Sequence, residues 1–168
     1  MEKEHVKLMV FPEFCITGYT CHDLFLQRCL LDSAWDELLH IAEETRETDA
    51  LIFVGLPLRH RGKLYNVAAA LNHGRIVGFV PKTHIPNYNE FYEQRQFAGA
   101  EEEDVEFVDF LKCEKNEEDE SGIIPFGTEL IFECKEFPEF TVAAELCEDL
   151  WVLRRQVSVM PSMCAYHR

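Results

Sequence analysis

The sequence predicts a mixed α/β fold, and three observations support this expectation. A short apolar run is followed by a long segment with apolar residues at helical spacing. Several β-rich runs then follow, and a turn signal separates two of them. The chain has 168 residues, 47% of them hydrophobic, which is enough for one domain with a core.

The first part of the predicted fold is a strand, a helix and a second strand. Residues 5–11 are mostly apolar and indicate a short strand. Residues 23–48 repeat apolar side chains at helical spacing with Glu and Arg between them, which predicts an amphipathic helix. Residues 50–54 predict a buried strand that we expect to end at Gly55 and Pro57.

Two pairs of strands are predicted after this point. Residues 65–71 and 76–80 are β-rich, and residues 72–75 between them supply the asparagine and glycine that a hairpin turn favours. A later pair of strands is expected over residues 128–134 and 140–146, joined around residues 137–139.

The charge of the chain is strongly negative and concentrated in one segment. The net charge is −15, and residues 101–120 hold eleven acidic residues against two lysines. We expect residues 98–122 to form an exposed loop, in part disordered, as either a solvated insertion or a segment that docks a partner. Such a chain repels nucleic acid and anionic membranes, so neither is predicted as a partner.

The cysteines and the start of the chain indicate a soluble cytoplasmic protein. Seven cysteines are present, an odd number without a Cys-x-x-Cys pair, so neither a disulfide framework nor a metal site is predicted. No run of eighteen apolar residues could span a membrane, and the N-terminus lacks the pattern of a secretory signal.

Two charged side chains directly follow apolar strands that end in proline. Glu13 comes after Pro12, and Lys82 comes after Pro81. Side chains at strand ends have a rigid base and an open crevice, which suits catalysis. Glu13 suits a general base, and Lys82 suits the stabilisation of an anion or developing oxyanion. Taken singly, a solvated strand cap and a surface lysine are the favoured interpretations of these two residues.

Cys147 also follows a predicted strand. The acidic Glu148 and Asp149 after it indicate the first turn of a short helix. Backbone N–H groups at such a turn are expected to lower the thiol pKa and to form an oxyanion pocket. The alternative is a buried structural cysteine.

Together, these three positions resemble a known family. The order Glu13, Lys82 and Cys147, each after an apolar strand, is similar to the pattern of the nitrilase (carbon–nitrogen hydrolase) superfamily. Three flanking runs resemble the glutaminase domain of glutamine-dependent NAD synthetases: FPEFCITGYTCHDLF at 11–25, PKTHIPNYNEFYEQRQF at 81–97 and ELCEDLW at 145–151. The resemblance covers roughly residues 6–152.

The resemblance implies a fold and a reaction. The fold would be α/β, a nitrilase-type four-layer αββα sandwich truncated at both ends. Glu13 would take the proton of Cys147, whose thiolate would attack the side-chain amide of glutamine. Lys82 and the backbone N–H of Glu148 would stabilise the oxyanion. The resemblance also implies that Glu90 buttresses the lysine and the base, and that glutamine is bound by Tyr88, Phe91 and Glu148.

The resemblance further implies a partner domain. Ammonia would pass to a synthetase domain, absent here, that uses ATP and Mg to amidate deamido-NAD to NAD. The glutaminase domain itself would need no cofactor, and the full-length protein is expected to be a homo-oligomer. Two alternatives stay open, namely a free-standing amidase acting on another small amide, and a non-catalytic remnant that serves as an assembly module.

The chain departs from the family pattern at its ends. It begins later than the family does, so residues 1–152 are interpreted as a partial domain containing the acidic loop. Residues 153–168 do not resemble the family, and a shifted reading frame would permit a family-like continuation. The isolated chain is therefore expected to be weakly active or inactive.

Overall fold

The computed structural model describes residues 5–101, 106–109 and 123–152, with the backbone alone described at 106–109. These residues contain one α-helix, α1 (Arg28–Glu44), and eight strands: β1 (Leu8–Val10), β2 (Leu51–His60), β3 (Lys63–Asn72), β4 (Arg75–Pro81), β5 (Glu106–Asp109), β6 (Ile123–Phe126), β7 (Phe132–Cys134) and β8 (Phe137–Val142). Short 3-10 segments occur at Tyr19–Leu26, Glu93–Arg95 and Cys147–Leu150. The predicted mixed α/β class is confirmed.

Six of the strands form one mixed sheet in the order β1-β2-β3-β4-β6-β5. β1 pairs with β2 in parallel, β2 to β4 form an antiparallel meander, and β4 pairs with β6 in parallel. β7 and β8 form a separate antiparallel pair.

The described residues form three layers, with the large sheet between α1 on one face and the β7–β8 pair on the other. Side chains alternate along β2, so Ile52 and Val54 face the helix and pack with Leu38 of α1. Phe53 points to the opposite face and meets Phe132 of β7, with ring centroids 5.3 Å apart. The second face, under β7 and β8, is the one on which the functional side chains described below lie.

The helix and the second strand differ in length from the predictions. α1 starts at Arg28 instead of residue 23, because the preceding residues form a 3-10 segment and Gln27 is extended (φ −84°, ψ 129°). β2 continues past Gly55 and Pro57 to His60. The backbone groups of Gly55 face the β1 edge, and by alternation those of Pro57 do too, so the missing proline N–H costs no bond to β3.

The first predicted hairpin is confirmed, whereas the second is shifted. Asn72 pairs with Arg75 around His73 and Gly74, whose φ values of 47° and 78° fit a type I′ turn. In the later hairpin Cys134 pairs with Phe137, so the turn lies at residues 135–136 and not at 137–139.

The part of the acidic segment that the structure describes at residues 106–109 is a strand. β5, within the predicted loop 98–122, pairs with β6 over four positions, which corrects the expectation of an exposed loop at residues 106–109. Residues 102–105, 110–122 and the C-terminal residues 153–168 lie outside the described residues. The predictions for the rest of the loop and for the tail stay predictions.

Candidate active site

Glu13 lies directly after β1 in a tight turn that a buried aromatic ring anchors. The amide of Gly18 donates to the carbonyl of Phe14 at 2.7 Å. Phe14 is 1% exposed, and its ring lies 4.9 Å from Phe25 and 5.0 Å from Phe97, measured between centroids. Burial of this ring fixes the residue that precedes it, so the direction of the Glu13 side chain is set by the core.

Gly55 of β2 allows the Glu13 turn to lie against the sheet. A Cβ atom at Gly55 would be 2.5 Å from the amide nitrogen of Phe14 and 2.8 Å from the carbonyl oxygen of Pro12. Only a hydrogen fits there, which is a reason for glycine that does not involve its φ angle.

Lys82 follows β4 and joins two carboxylates. Its amide donates to the carbonyl of Asn66 at 2.8 Å, and its carbonyl accepts from Ala100 at 3.0 Å. The fully buried ammonium donates to Glu13 Oε1 at 2.7 Å and to the oxygens of Glu93 at 3.1 and 3.0 Å. Burial alone would lower the pKa of Lys82, but the two carboxylates outweigh burial and raise that pKa, so Lys82 is charged at neutral pH.

The second carboxylate beside Lys82 is Glu93, and the prediction of Glu90 in this position is wrong. Glu93 is 6% exposed, whereas Glu90 is exposed. The reason is local: the amide of Phe91 donates to the carbonyl of Tyr88 at 2.9 Å, and this turn leaves Glu90 outside. The 3-10 segment that follows directs Glu93 inward.

Two polar side chains that the sequence analysis did not identify complete the cluster. Asn66 of β3 is 0% exposed, and its Nδ2 donates to Glu13 Oε1 at 2.5 Å and to Glu93 Oε2 at 3.4 Å. The Tyr19 hydroxyl donates to Glu93 Oε1, and burial together with this bond raises the pKa of Tyr19. Asn66 Oδ1 is buried without a partner among the described residues, an arrangement that costs about 1–3 kcal/mol.

Cys147 lies at a sharp elbow between an extended segment and a 3-10 turn. Its φ is 47°, a left-handed conformation that costs a non-glycine residue about 1–2 kcal/mol. Leu146, 7% exposed, anchors the elbow in the core. The exposed Cys147 lines a cavity of about 320 Å³ that is also lined by Glu13 and Gly55. The fold therefore brings the three predicted residues Glu13, Lys82 and Cys147 to one place.

The expected lowering of the Cys147 pKa is wrong. Partial burial of the thiol raises its pKa, the Lys82 charge lowers it, and Glu13, Glu93 and Glu148 raise it further. The net result is a pKa above the ordinary value. The thiol is therefore protonated at neutral pH, and a base is required before it can act as a nucleophile.

Asp149 connects the Cys147 elbow to the strand end that carries Lys82. It is 0% exposed and accepts from the Thr83 amide at 3.2 Å and from the His84 amide at 2.7 Å. His84 Nδ1 lies 3.1 Å from the same carboxylate. Burial raises the pKa of Asp149, and these hydrogen bonds offset only part of that rise. Asp149 thus braces the two strand ends against each other.

The three predicted substrate-binding residues lie together beside Cys147. The Tyr88 hydroxyl donates to Glu148 Oε2 at 2.7 Å, and the Tyr88 and Phe91 rings are 5.5 Å apart. Tyr88 is 50% exposed, so a polar ligand could reach this pair. Binding of glutamine by these side chains stays a prediction.

Comparison with known proteins assigns the chain to a family. The model of the carbon-nitrogen hydrolase family matches residues 1–154. The chain belongs to the carbon–nitrogen hydrolase family. The crystal structure of a glutamine-dependent NAD(+) synthetase from Cytophaga hutchinsonii superposes with a TM-score of 0.72 at 29% identity, over 88% of this chain and 23% of that chain. The predicted nitrilase-type fold is thereby confirmed.

Curated relatives of this carbon–nitrogen hydrolase chain are much longer than the chain itself. A glutamine-dependent NAD(+) synthetase of Mycobacterium tuberculosis is 38% identical over 146 residues, which is 86% of this chain and 20% of that protein. One of Arabidopsis thaliana is 32% identical over 141 residues, which is 83% of this chain and 19% of that protein. The chain spans about a fifth of the length of the curated relatives it matches.

The described residues of this carbon–nitrogen hydrolase contain neither a membrane-spanning helix nor a group of metal-ligating side chains. No helix in residues 5–101 or 123–152 has the length and apolar character needed to cross a bilayer. In the same part of the chain, no three His, Cys, Asp or Glu side chains are grouped so that they could hold a metal ion.

Two of the three missed residues, Glu93 and Asn66, left a signal in the sequence of this carbon–nitrogen hydrolase, whereas Tyr19 did not. Glu93 precedes Phe97 by four residues, and side chains four apart share one face of a helical turn, so the buried Phe97 predicts a buried Glu93. Asn66 stands between Tyr65 and Val67 inside a buried strand, where a polar side chain needs partners.

Proposed function

We propose that the chain hydrolyses the side-chain amide of glutamine, with Cys147 as the nucleophile, Glu13 as the general base and Lys82 as the oxyanion-stabilising cation. The observation that carries the proposal is the bridge from Lys82 to Glu13 at 2.7 Å beside a thiol in the same cavity. A protonated thiol, a carboxylate that can accept its proton and a buried cation are the three groups that this reaction needs.

The reaction proceeds in two stages with balanced protons. Glu13 takes the proton of Cys147 as the sulfur bonds to the amide carbon, and Lys82 faces the oxygen that becomes negative. The tetrahedral intermediate collapses when Glu13 returns the proton to the departing nitrogen, so ammonia leaves and a thioester remains. Glu13 then takes a proton from water, hydroxide attacks the thioester, and the sulfur leaves and regains a proton. Glutamine and water thus give glutamate and ammonia.

Glutamine is favoured over other amides by the groups at the mouth of the site. Glu148 adjoins the nucleophile and can pair with the α-ammonium group of glutamine, while its hydrogen bond to Tyr88 at 2.7 Å fixes its direction. The Phe91 ring, 5.5 Å from Tyr88, supplies an apolar wall for the methylene groups. The dependence on glutamine in the names of the relatives agrees with this choice.

The wider role follows from the same relatives. We place the ammonia in the ATP-dependent amidation of deamido-NAD to NAD, carried out by a synthetase domain that would also hold ATP and Mg. Homo-oligomeric assembly and a cytoplasmic location stay part of this proposal. An additional synthetase domain would account for the greater length of the relatives, which are about five times as long as this chain.

A labelling experiment tests the glutaminase proposal even if turnover is slow. The purified chain is treated with a glutamine-like diazoketone, and the modified thiol is identified by mass spectrometry. We expect Cys147 to be alkylated and excess glutamine to protect it, while Cys29, an exposed thiol on α1, serves as the internal control.

Two variants complete the test. Cys147→Ser should abolish both labelling and glutamate release, whereas Cys29→Ser should leave both unchanged. Labelling of Cys147 and Cys29 at equal rates, or labelling that glutamine does not slow, would contradict the proposal. Protection by a different small amide, and not by glutamine, would point instead to an amidase of another specificity.

A further inference from the structure

The two carboxylates beside Lys82 differ in how many of their oxygens are occupied. Both oxygens of Glu93 accept hydrogen bonds, Oε1 from Tyr19 and Lys82, and Oε2 from Lys82 and Asn66. In contrast, both donors to Glu13 meet at a single atom, Oε1, with Lys82 at 2.7 Å and Asn66 at 2.5 Å. No described residue donates to Glu13 Oε2.

Asn66 has a fixed orientation that explains this difference. Its amide group carries two hydrogens, and one points to each carboxylate. The reverse orientation would place Oδ1 against two carboxylate oxygens, which repels. The observed orientation leaves Oδ1 buried without a partner among the described residues, so the cluster tolerates an unpaired acceptor in order to keep both donors on the carboxylates.

We propose that Asn66 is a positioning residue that holds Glu13 Oε1 against Lys82 and thereby leaves Oε2 as the one oxygen that exchanges a proton with Cys147. The inference deepens the proposed function and rests on it for the roles of Glu13 and Cys147. Glu93, with both oxygens occupied, has no free site for a proton and acts only as the counter-charge of Lys82.

Removal of Asn66 changes the base in two ways. With Lys82 as its remaining donor, the Glu13 carboxylate can rotate about its last bond and exchange its two oxygens. A hydrogen-bond donor to the ionised carboxylate is also lost, so the charged form that serves as the base is less stabilised. Among the described residues, the other titratable groups near Glu13 are Lys82, Glu93, Tyr19 and Cys147, and Glu145 lines the same cavity. An Asn66 variant keeps all of these side chains.

The pH dependence of Cys147 alkylation by iodoacetamide tests the inference without requiring glutamine hydrolysis. In Asn66→Ala, one charge-assisted hydrogen bond to Glu13 is lost, so we expect alkylation near neutral pH to slow about tenfold and the acid limb of the profile to move to higher pH. Asn66→Ser keeps one donor and should recover part of both effects.

Asn72→Ala is the matched control. Asn72 lies on the same strand, and its Nδ2 donates to the Ala50 carbonyl at 3.1 Å, away from the cluster. Its alkylation profile should match that of the unmodified chain. If Asn66→Ala does not fold, judged by circular dichroism, Asn66→Ser alone decides the outcome. A profile that is unchanged in the folded Asn66 variants overturns the inference.

The outcome separates the two proposals. A shifted profile with no protection by glutamine would keep Asn66 as the positioning residue of Glu13 and remove glutamine as the substrate. Protection by glutamine with an unshifted profile would keep glutamine as the substrate and remove Asn66 as the positioning residue of Glu13.

Discussion

Gly55→Ala is expected to inactivate the site while leaving the fold intact. The added Cβ would lie 2.5 Å from the Phe14 amide nitrogen, whereas the usual contact distance is about 3.5 Å, so the backbone beside Glu13 must move by about 1 Å. Such a movement breaks the short bonds that join Glu13 Oε1 to Lys82 and Asn66. A misplacement of about 1 Å in a catalytic group costs about a hundredfold in rate.

The assay is the initial rate of Cys147 labelling by the glutamine-like diazoketone, expressed per folded molecule. Gly78→Ala is the matched control, because its Cβ would meet the side-chain ends of Leu130 and Phe132 at 3.0 and 3.1 Å, far from the Glu13 backbone. We expect Gly78→Ala to lower the melting temperature yet keep the labelling rate. A folded Gly55→Ala chain that labels at the rate of the unmodified chain would refute this reasoning.

Three further outcomes are expected. Glu93→Gln should lower the pKa of Cys147, because Glu93 raises it, and alkylation by iodoacetamide near neutral pH should become faster; Glu90→Gln should leave the rate unchanged. Asp149→Asn should lower the free energy of unfolding, measured in urea, by about 1–3 kcal/mol, because buried amide donors lose a charged acceptor. Arg95 lowers the pKa of Asp23 to about 2, so this carboxylate contributes stability above its unfolded pKa of 3.8 that is lost as the pH falls towards 2. Asp23→Asn should therefore flatten the pH dependence of the melting temperature in this window, and an unchanged slope would exclude the contribution.

The sequence was informative where a single strand decides the geometry. Glu13 and Lys82 each come directly after a proline at the end of an apolar run. The meander of β2, β3 and β4 brings Lys82 to the end of the sheet where Glu13 lies. The hairpin at His73 and Gly74 could be predicted for the same reason, since two residues with positive φ are a local requirement.

The sequence was less informative where the decision depends on contacts between distant segments. Glu90 and Glu93 are chemically identical. The local turn at Tyr88 leaves Glu90 outside, but the inward position of Glu93 also depends on Phe97, which packs on the distant rings of Phe14 and Phe25. The pKa of Cys147 could not be predicted either, because the elbow alone suggests a lower value, whereas partial burial first and the nearby carboxylates second raise it. Likewise, β2 continues through Pro57 because β1 pairs with β2 only as far as Phe53, a fact that only the strand register provides.

The raised pKa of the solvent-exposed Cys147 has a consequence for the lifetime of the protein. Peroxide oxidises thiolates far faster than thiols, and the irreversible sulfinic and sulfonic acids form from that first oxidation. Because partial burial, aided by neighbouring carboxylates, keeps Cys147 in the thiol form, the nucleophile resists oxidation between turnovers although water reaches it. Exposure to peroxide should therefore inactivate the chain slowly, and faster as the pH approaches the pKa of Cys147.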